Sequence, residues 1–235
     1  MNVLSLGGLQ ARLVGGTDGN GGGDGPVVVL LHGFGAPGDD LVPLWRVLGA
    51  PAGTRFVFPA APIDLGPMYA GGRAWWPIDF EDRLRRRMRG DHGENDVPPG
   101  LIEARTSLVA LLDDVVVKLA PPGGKVVLGG FSQGSMLSLD VALHGAHALA
   151  GLVLLSTTHL AAEVWAPRFE SRRALPVFMS HGKNDELLPF AVTEKLRGLL
   201  EQSGWDITWV PFAGGHAIPQ PVVDGIGAFL QRVLK

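Results

Sequence analysis

The pentapeptide Gly130-Phe131-Ser132-Gln133-Gly134 stands between two runs of different periodicity. Ahead of it lies Lys125-Val126-Val127-Leu128-Gly129, short and rich in β-branched residues, as a buried strand requires. Behind it, Ser135-Met136-Leu137-Ser138-Leu139-Asp140-Val141-Ala142-Leu143 spaces its apolar residues as a helix does. A strand that becomes a helix this abruptly turns so tightly that a side chain on either flank would clash, and glycine removes it. Such a turn is a nucleophile elbow, which raises a serine hydroxyl at the end of a sheet with its backbone at a helix N-terminus. The chain carries 34 Gly in 235 residues, so the bare pentapeptide says little and the flanking elements carry the argument.

The rest of the chain supplies the sheet that the elbow needs. Val27 to Leu31 is a continuous apolar run, as in a strand buried on both faces. Further strands are expected at Arg55-Phe56-Val57-Phe58, stopped by Pro59, and at Gly151 to Leu155, Pro176 to Met179 and Asp206 to Val210. Helices are expected from Asp39 and Asp40, as caps, to about Leu48, and over Leu101 to Leu119, Phe190 to Gln202 and Val222 to Leu234. Residues 15–25 are a glycine-rich stretch expected to be a flexible connection between two strands. The alternation of strand and helix argues a mostly parallel sheet with helices on both faces. There is no internal repeat and no clear domain boundary, so residues 1–235 are expected to form one domain.

Composition excludes several function classes. An apolar fraction of 46% is ample for a core, and a net charge of −3 gives no reason to expect nucleic acid or an acidic membrane surface. The absence of cysteine excludes a disulfide framework, thiolate zinc sites and a Cys nucleophile, and it fits a reducing compartment. The N-terminal residues lack a basic region followed by a long apolar one, as a signal peptide would have, and no run is long enough to span a bilayer. A cytoplasmic location is the expectation.

A serine hydroxyl near neutral pH needs an imidazole to take its proton, and the imidazole needs a carboxylate to hold its tautomer. Both must lie where ligands gather in such sheets, at the carboxyl ends of strands. Asp185 follows the strand ending at Met179, and His216 follows the strand ending at Val210. The order Ser132, Asp185, His216 is that of the α/β hydrolases. His144 and His147 sit at the wrong end of the elbow helix, His159 precedes the acid, and His92 is in a polar loop. His181 is expected to be structural, beside the acid loop. Asp140 lies inside a helix, and Asp206 opens a strand at its wrong end. Backbone N–H donors for an oxyanion are expected from Gln133, after the nucleophile, and from Phe34, in the loop after the first buried strand.

That loop also contains Gly33-Phe34-Gly35-Ala36-Pro37-Gly38, a literal G-x-G-x-x-G of the kind that cradles dinucleotides. The nucleotide reading is the weaker one. Phe58-Pro59-Ala60 stands where a ribose-binding acid should, and Pro37 removes a backbone donor.

Four separated segments together resemble the phospholipase/carboxylesterase family of α/β hydrolases, which includes the acyl-protein thioesterases. They are Leu31-His32-Gly33-Phe34-Gly35, Gly130-Phe131-Ser132-Gln133-Gly134, His181-Gly182-Lys183-Asn184-Asp185-Glu186-Leu187-Leu188-Pro189 and Gly214-Gly215-His216-Ala217-Ile218-Pro219. The resemblance implies an α/β-hydrolase fold without a large cap domain, acting on carboxylic ester or thioester bonds with no metal and no cofactor. It carries over Ser132 as nucleophile, Asp185 as acid and His216 as base, and supports Phe34 and Gln133 as oxyanion donors. The implied partner is a small-molecule ester, with no nucleic acid and no transmembrane segment, on a monomer or homodimer. Acyl transfer on the same triad, or a non-catalytic or nucleotide-binding protein of this fold, are the alternatives.

The segment Arg73-Ala74-Trp75-Trp76-Pro77-Ile78-Asp79 resembles the family's tryptophan-containing loop. Trp75 and Trp76 are expected either to wall the substrate site or to pin a long loop as core residues. Leu188, in the acid loop, joins them as an expected substrate contact. The stretch from Asp79 to Pro99 departs from the family in being longer and more charged. Its run Arg83-Leu84-Arg85-Arg86-Arg87-Met88-Arg89 is either a solvated helix face or part of a flap that attracts an anionic substrate.

Overall fold

The computed structural model describes residues 1–235. Its strands are β1 (Asn2–Leu6), β2 (Leu9–Gly16), β3 (Asn20–Gly22), β4 (Val27–Leu31), β5 (Arg55–Pro59), β6 (Ile63–Asp64), β7 (Arg73–Ala74), β8 (Val126–Phe131), β9 (Leu149–Leu155), β10 (Pro176–Gly182) and β11 (Asp206–Phe212). Its helices are α1 (Phe80–Arg87), α2 (Leu101–Asp114), α3 (Gln133–His144), α4 (Ala162–Trp165), α5 (Phe190–Gln202) and α6 (Gln220–Val233).

The main sheet has the order β1-β2-β5-β4-β8-β9-β10-β11, with β3 on β2, while β6 and β7 form a separate small ribbon. From β5 to β11 neighbouring strands run parallel, and only β1 with β2 and β2 with β5 are antiparallel. The pleat sorts each central strand onto two faces. Val27, Val29 and Leu31 join one buried cluster with α2, α3 and α5, while Val28 and Leu30 join another with α6. Continuous apolar runs in the sequence therefore mark strands covered on both sides. β4 lies between β5 and β8, so the chain leaves it toward one side and returns on the other. A crevice opens at the carboxyl ends of strands at such a reversal.

The helix carrying the elbow is anchored from behind. Asp140 on α3 is fully buried and accepts two hydrogen bonds from Arg105 on α2, at 2.6 and 3.0 Å, and one from the Trp165 indole at 2.8 Å. A buried carboxylate with all its bonds made positions its helix, and removing one partner would leave an uncompensated charge.

Several local expectations need correction. The glycine-rich stretch is not a free connection. Asp18 Oδ1 accepts from the Asn20 and Gly22 N–H groups at 2.8 and 2.9 Å, folding back a turn whose far arm is β3. Residues 39–48 hold only a 3-10 turn over Val42–Arg46, with Leu41 at its N-cap and no side-chain cap, and Asp39 instead pairs with Arg12 at 2.8 Å. The long helix from Leu101 is α-helical to Asp114 and widens to a π turn over Val115–Leu119, ending at Ala120 with φ 43°. The charged run forms α1, started by Asp79, whose side chain accepts from Asp82 N–H at 2.8 Å. Glu81 and Asp82 in its first turn and Arg85, Arg86 and Arg87 in its last complement the helix dipole. No helix is long and apolar enough to cross a membrane.

Candidate active site

Leu31 at the end of β4 pairs in register with Gly130 near the end of β8. The chain leaves β8 through Ser132, whose φ of 54° and ψ of −119° are unusual for a residue with a side chain. Such a conformation costs of order 1–3 kcal/mol and persists only where its surroundings over-determine it. They do so here. Ser132 N–H donates to Leu155 O at 2.9 Å, and its carbonyl accepts from Ser135 and Met136 N–H at 3.0 and 3.2 Å. A β-carbon on Gly130 would stand 2.6 Å from Leu31 O, and one on Gly134 would stand 2.4 Å from the same atom. Both flanking positions are therefore closed to any larger residue. The Ser132 hydroxyl holds no hydrogen bond and faces a cavity of about 810 Å³ that His216 also lines.

His216 lines this cavity from the end of β11, and Asp185, after β10, stands behind it. Backbone bonds from Lys183 N–H to Phe212 O and from Asn184 N–H to Gly214 O, both 2.9 Å, tie the two loops together. Asp185 Oδ2 accepts from His216 Nδ1 at 2.7 Å, and Oδ1 accepts from Leu187 and Leu188 N–H at 2.9 Å each. Burial pushes the Asp185 carboxyl up, but the His216 bond and the two backbone donors outweigh it and hold the group below the usual carboxylate range. The carboxylate thus stays ionised and fixes the His216 tautomer, with Nδ1 protonated and Nε2 free. The His216 ring packs on Phe131 at 4.6 Å. His181 is buried behind this pair, bonded to Leu188 O at 2.8 Å and to the Thr193 hydroxyl at 3.0 Å. Burial pulls its pKa below the ordinary value, as a neutral structural ring requires.

Phe34 and Gln133 both line the cavity. The Phe34 N–H has no hydrogen-bond partner, and Gln133 is the first residue of α3, where backbone N–H groups have no intrahelical acceptor. The Phe34 loop is held on both sides. Gly35 N–H donates to Arg73 O and Arg73 N–H to Ala36 O, both at 2.9 Å. His32 Nε2 accepts from Ala61 N–H at 3.0 Å, so Nδ1 carries the proton given to Gly33 O at 2.7 Å. Burial holds His32 neutral. No sequence pattern marks this histidine for that role. Its loop leads to a 3-10 turn, not to an α-helix, so the G-x-G-x-x-G lacks the helix N-terminus a pyrophosphate needs.

The two tryptophans separate. Trp75 does not belong to the cavity wall. It is 1% exposed, its indole N–H donates to His32 O at 2.9 Å, and its ring packs on His32 at 5.4 Å. Its neighbour Trp76, also largely buried, borders the cavity, as does Leu188. Alternate side chains of an extended segment point opposite ways, and here one way is the core. The Gln133 side chain holds this segment to the elbow, accepting from Trp75 N–H at 2.9 Å and donating to Trp76 O at 2.8 Å. That clamp was not legible in the sequence, where Gln133 stood out only for its backbone.

Residues 22–234 match the model of the phospholipase/carboxylesterase family. Among curated relatives, acyl-protein thioesterase 1 of Neurospora crassa is 27% identical over 222 residues, covering 88% of this chain and 86% of that protein. The acyl-protein thioesterase 1 of Cryptococcus neoformans var. neoformans is 30% identical over 179 residues, covering 74% of this chain and 72% of its own. Among solved structures, esterase PE8 superposes with a TM-score of 0.79 at 30% identity, covering 96% of this chain and 99% of that one.

Proposed function

The chain belongs to the phospholipase/carboxylesterase family, and from that premise we propose that Ser132, His216 and Asp185 are its nucleophile, base and acid. The protein is a hydrolase of carboxylic esters or thioesters, the activity its relatives are named for. His216 Nε2 takes the Ser132 proton as the oxygen attacks the acyl carbon. The oxyanion that forms accepts from the N–H groups of Phe34 and Gln133. Its collapse expels the alcohol or thiol, which leaves with the proton from His216, and the acyl group stays on Ser132. Water then gives its proton to His216 and attacks the acyl-enzyme, releasing the acid and restoring the serine.

The observation that carries this reading is the 2.7 Å Asp185–His216 bond on the wall of the cavity that a strained Ser132 faces. The apolar part of the acyl group packs against Trp76, Met136 and Leu188, which line the same cavity. Ser132→Ala tests it. The variant should fold, resist a fluorophosphonate label and lose several orders of magnitude in kcat, with about 10³–10⁴ over water remaining. Near-native turnover by the folded variant would overturn the assignment.

A further inference from the structure

Helix α1 lines one wall of the cavity, and its arginines meet different ends. Arg85 lies 3.9 Å from Glu81 and 3.6 Å from Asp82. Arg86 pairs with Asp91 at 2.8 Å and with Asp96. Arg87 donates to the Glu186 carbonyl. Arg83 has no ion pair and no hydrogen bond, yet it is partly buried and lines the same cavity as Ser132 and His216.

The nearby carboxylates are taken. Asp79 caps α1, Asp82 faces Arg85, Asp91 and Asp96 hold Arg86, and Asp185 holds His216. Burial first, then the like charge of Arg87, pulls the Arg83 pKa down, and Asp185 is the one anion that offsets them. The guanidinium remains charged all the same. It is a planar fork of donors, removed from much of its water, with nothing in the chain to receive them. Half-buried and without a partner in the chain, the charge is left to water until a ligand entering the cavity that Arg83 lines supplies an anion.

We propose that Arg83 is a specificity residue that binds an anionic oxygen group, a carboxylate or a phosphate, on the ester substrate. The substrate is then a charged ester with an apolar portion. Arg87 adds to the positive potential at the same wall. This rests on the esterase reading of the cavity and names the substrate class within it.

The test compares kcat/KM for matched esters in the wild type, Arg83→Gln and Arg83→Lys. One pair carries a carboxylate on the acyl side, monoethyl adipate against diethyl adipate. The other carries a phosphate on the alcohol side, 4-acetoxyphenyl phosphate against phenyl acetate. The wild type should favour the charged member of at least one pair, and that pair identifies the anion. Arg83→Gln should lower the charged-to-neutral ratio at least tenfold, about 1.4 kcal/mol. Arg83→Lys should restore part of it, as a point charge without the fork. Added salt should weaken the wild-type preference. A ratio unchanged by Arg83→Gln in both pairs overturns the proposal, as does an equal loss on charged and neutral esters. Fluorophosphonate labelling of each protein separates the two levels. Labelled enzyme with an unaltered ratio sinks only the Arg83 assignment, whereas wild type that neither labels nor turns over any ester sinks the esterase reading beneath it.

Discussion

On one side of the cavity, Ser132, Asp185 and His216 stand at the ends of β8, β10 and β11, and the backbone holds them. Ser132 is tied through Leu155 O, and the acid loop through Phe212 O and Gly214 O. On the other side, residues 73–99 are anchored by backbone bonds at Arg73, Glu94 and Asp96, but α1 between them is held by side chains. Gln133 clamps Trp75 and Trp76, Arg86 ties α1 to Asp91 and Asp96, and Lys195 on α5 reaches Glu94 at 2.7 Å. The far side also exposes Phe80, Leu84 and Met88. Backbone-held groups keep their geometry whatever neighbours do, which bond-making chemistry demands. Side-chain-held segments can vary without disturbing it, which suits a wall that selects substrates.

The contrast can be broken most severely on the catalytic side. Asp185→Asn keeps the shape but gives His216 Nδ1 a neutral amide that can donate as well as accept, so the tautomer is no longer held. A loss of about 10⁴ in kcat is expected, with little change in KM. A loss below tenfold in steady-state assays would show that the acid is not needed there.

Next come the tryptophans. Trp75→Ala removes a buried ring and its indole bond to His32 O, and should cost about 3–5 kcal/mol in denaturant unfolding. Trp76→Ala should also destabilise, but it additionally enlarges the cavity and should shift preference toward longer acyl chains. Measurement of kcat/KM for acetyl, butyryl and octanoyl esters decides it. An unaltered chain-length profile in the folded Trp76 variant would leave both rings as core residues only.

The smallest effect is on stability against pH. Burial pulls His32, His159 and His181 below their ordinary 6.5. Below that value the unfolded chain binds protons that the folded one refuses, so this contribution is complete above pH 6.5 and declines as pH falls beneath it. The Tm should therefore drop between about pH 7 and about pH 5, at constant ionic strength. A flat Tm over that range would mean that these rings take up protons in place.

Where local chemistry alone decides, the sequence was sufficient. The apolar runs at Val27–Leu31 and at residues 126–130 read as strands covered on both faces, because they are too short for a buried helix and rich in β-branched residues. Gly130 and Gly134 announced the tight turn, because any β-carbon there meets Leu31 O. The chain order of Ser132, Asp185 and His216 at strand ends pointed to one crevice. Tertiary structure decided what depends on which surfaces meet. It sent Trp75 into the core and Trp76 to the cavity, put a 3-10 turn where a helix capped by Asp39 was expected, and gave β3 a partner. It also left Arg83 without a partner while Arg85, Arg86 and Arg87 of the same helix found theirs, a distinction that the charge pattern of the run does not make. Periodicity and steric demand act within a few residues and are written in the chain, whereas side-chain pairing is a competition among groups that only folding brings within reach.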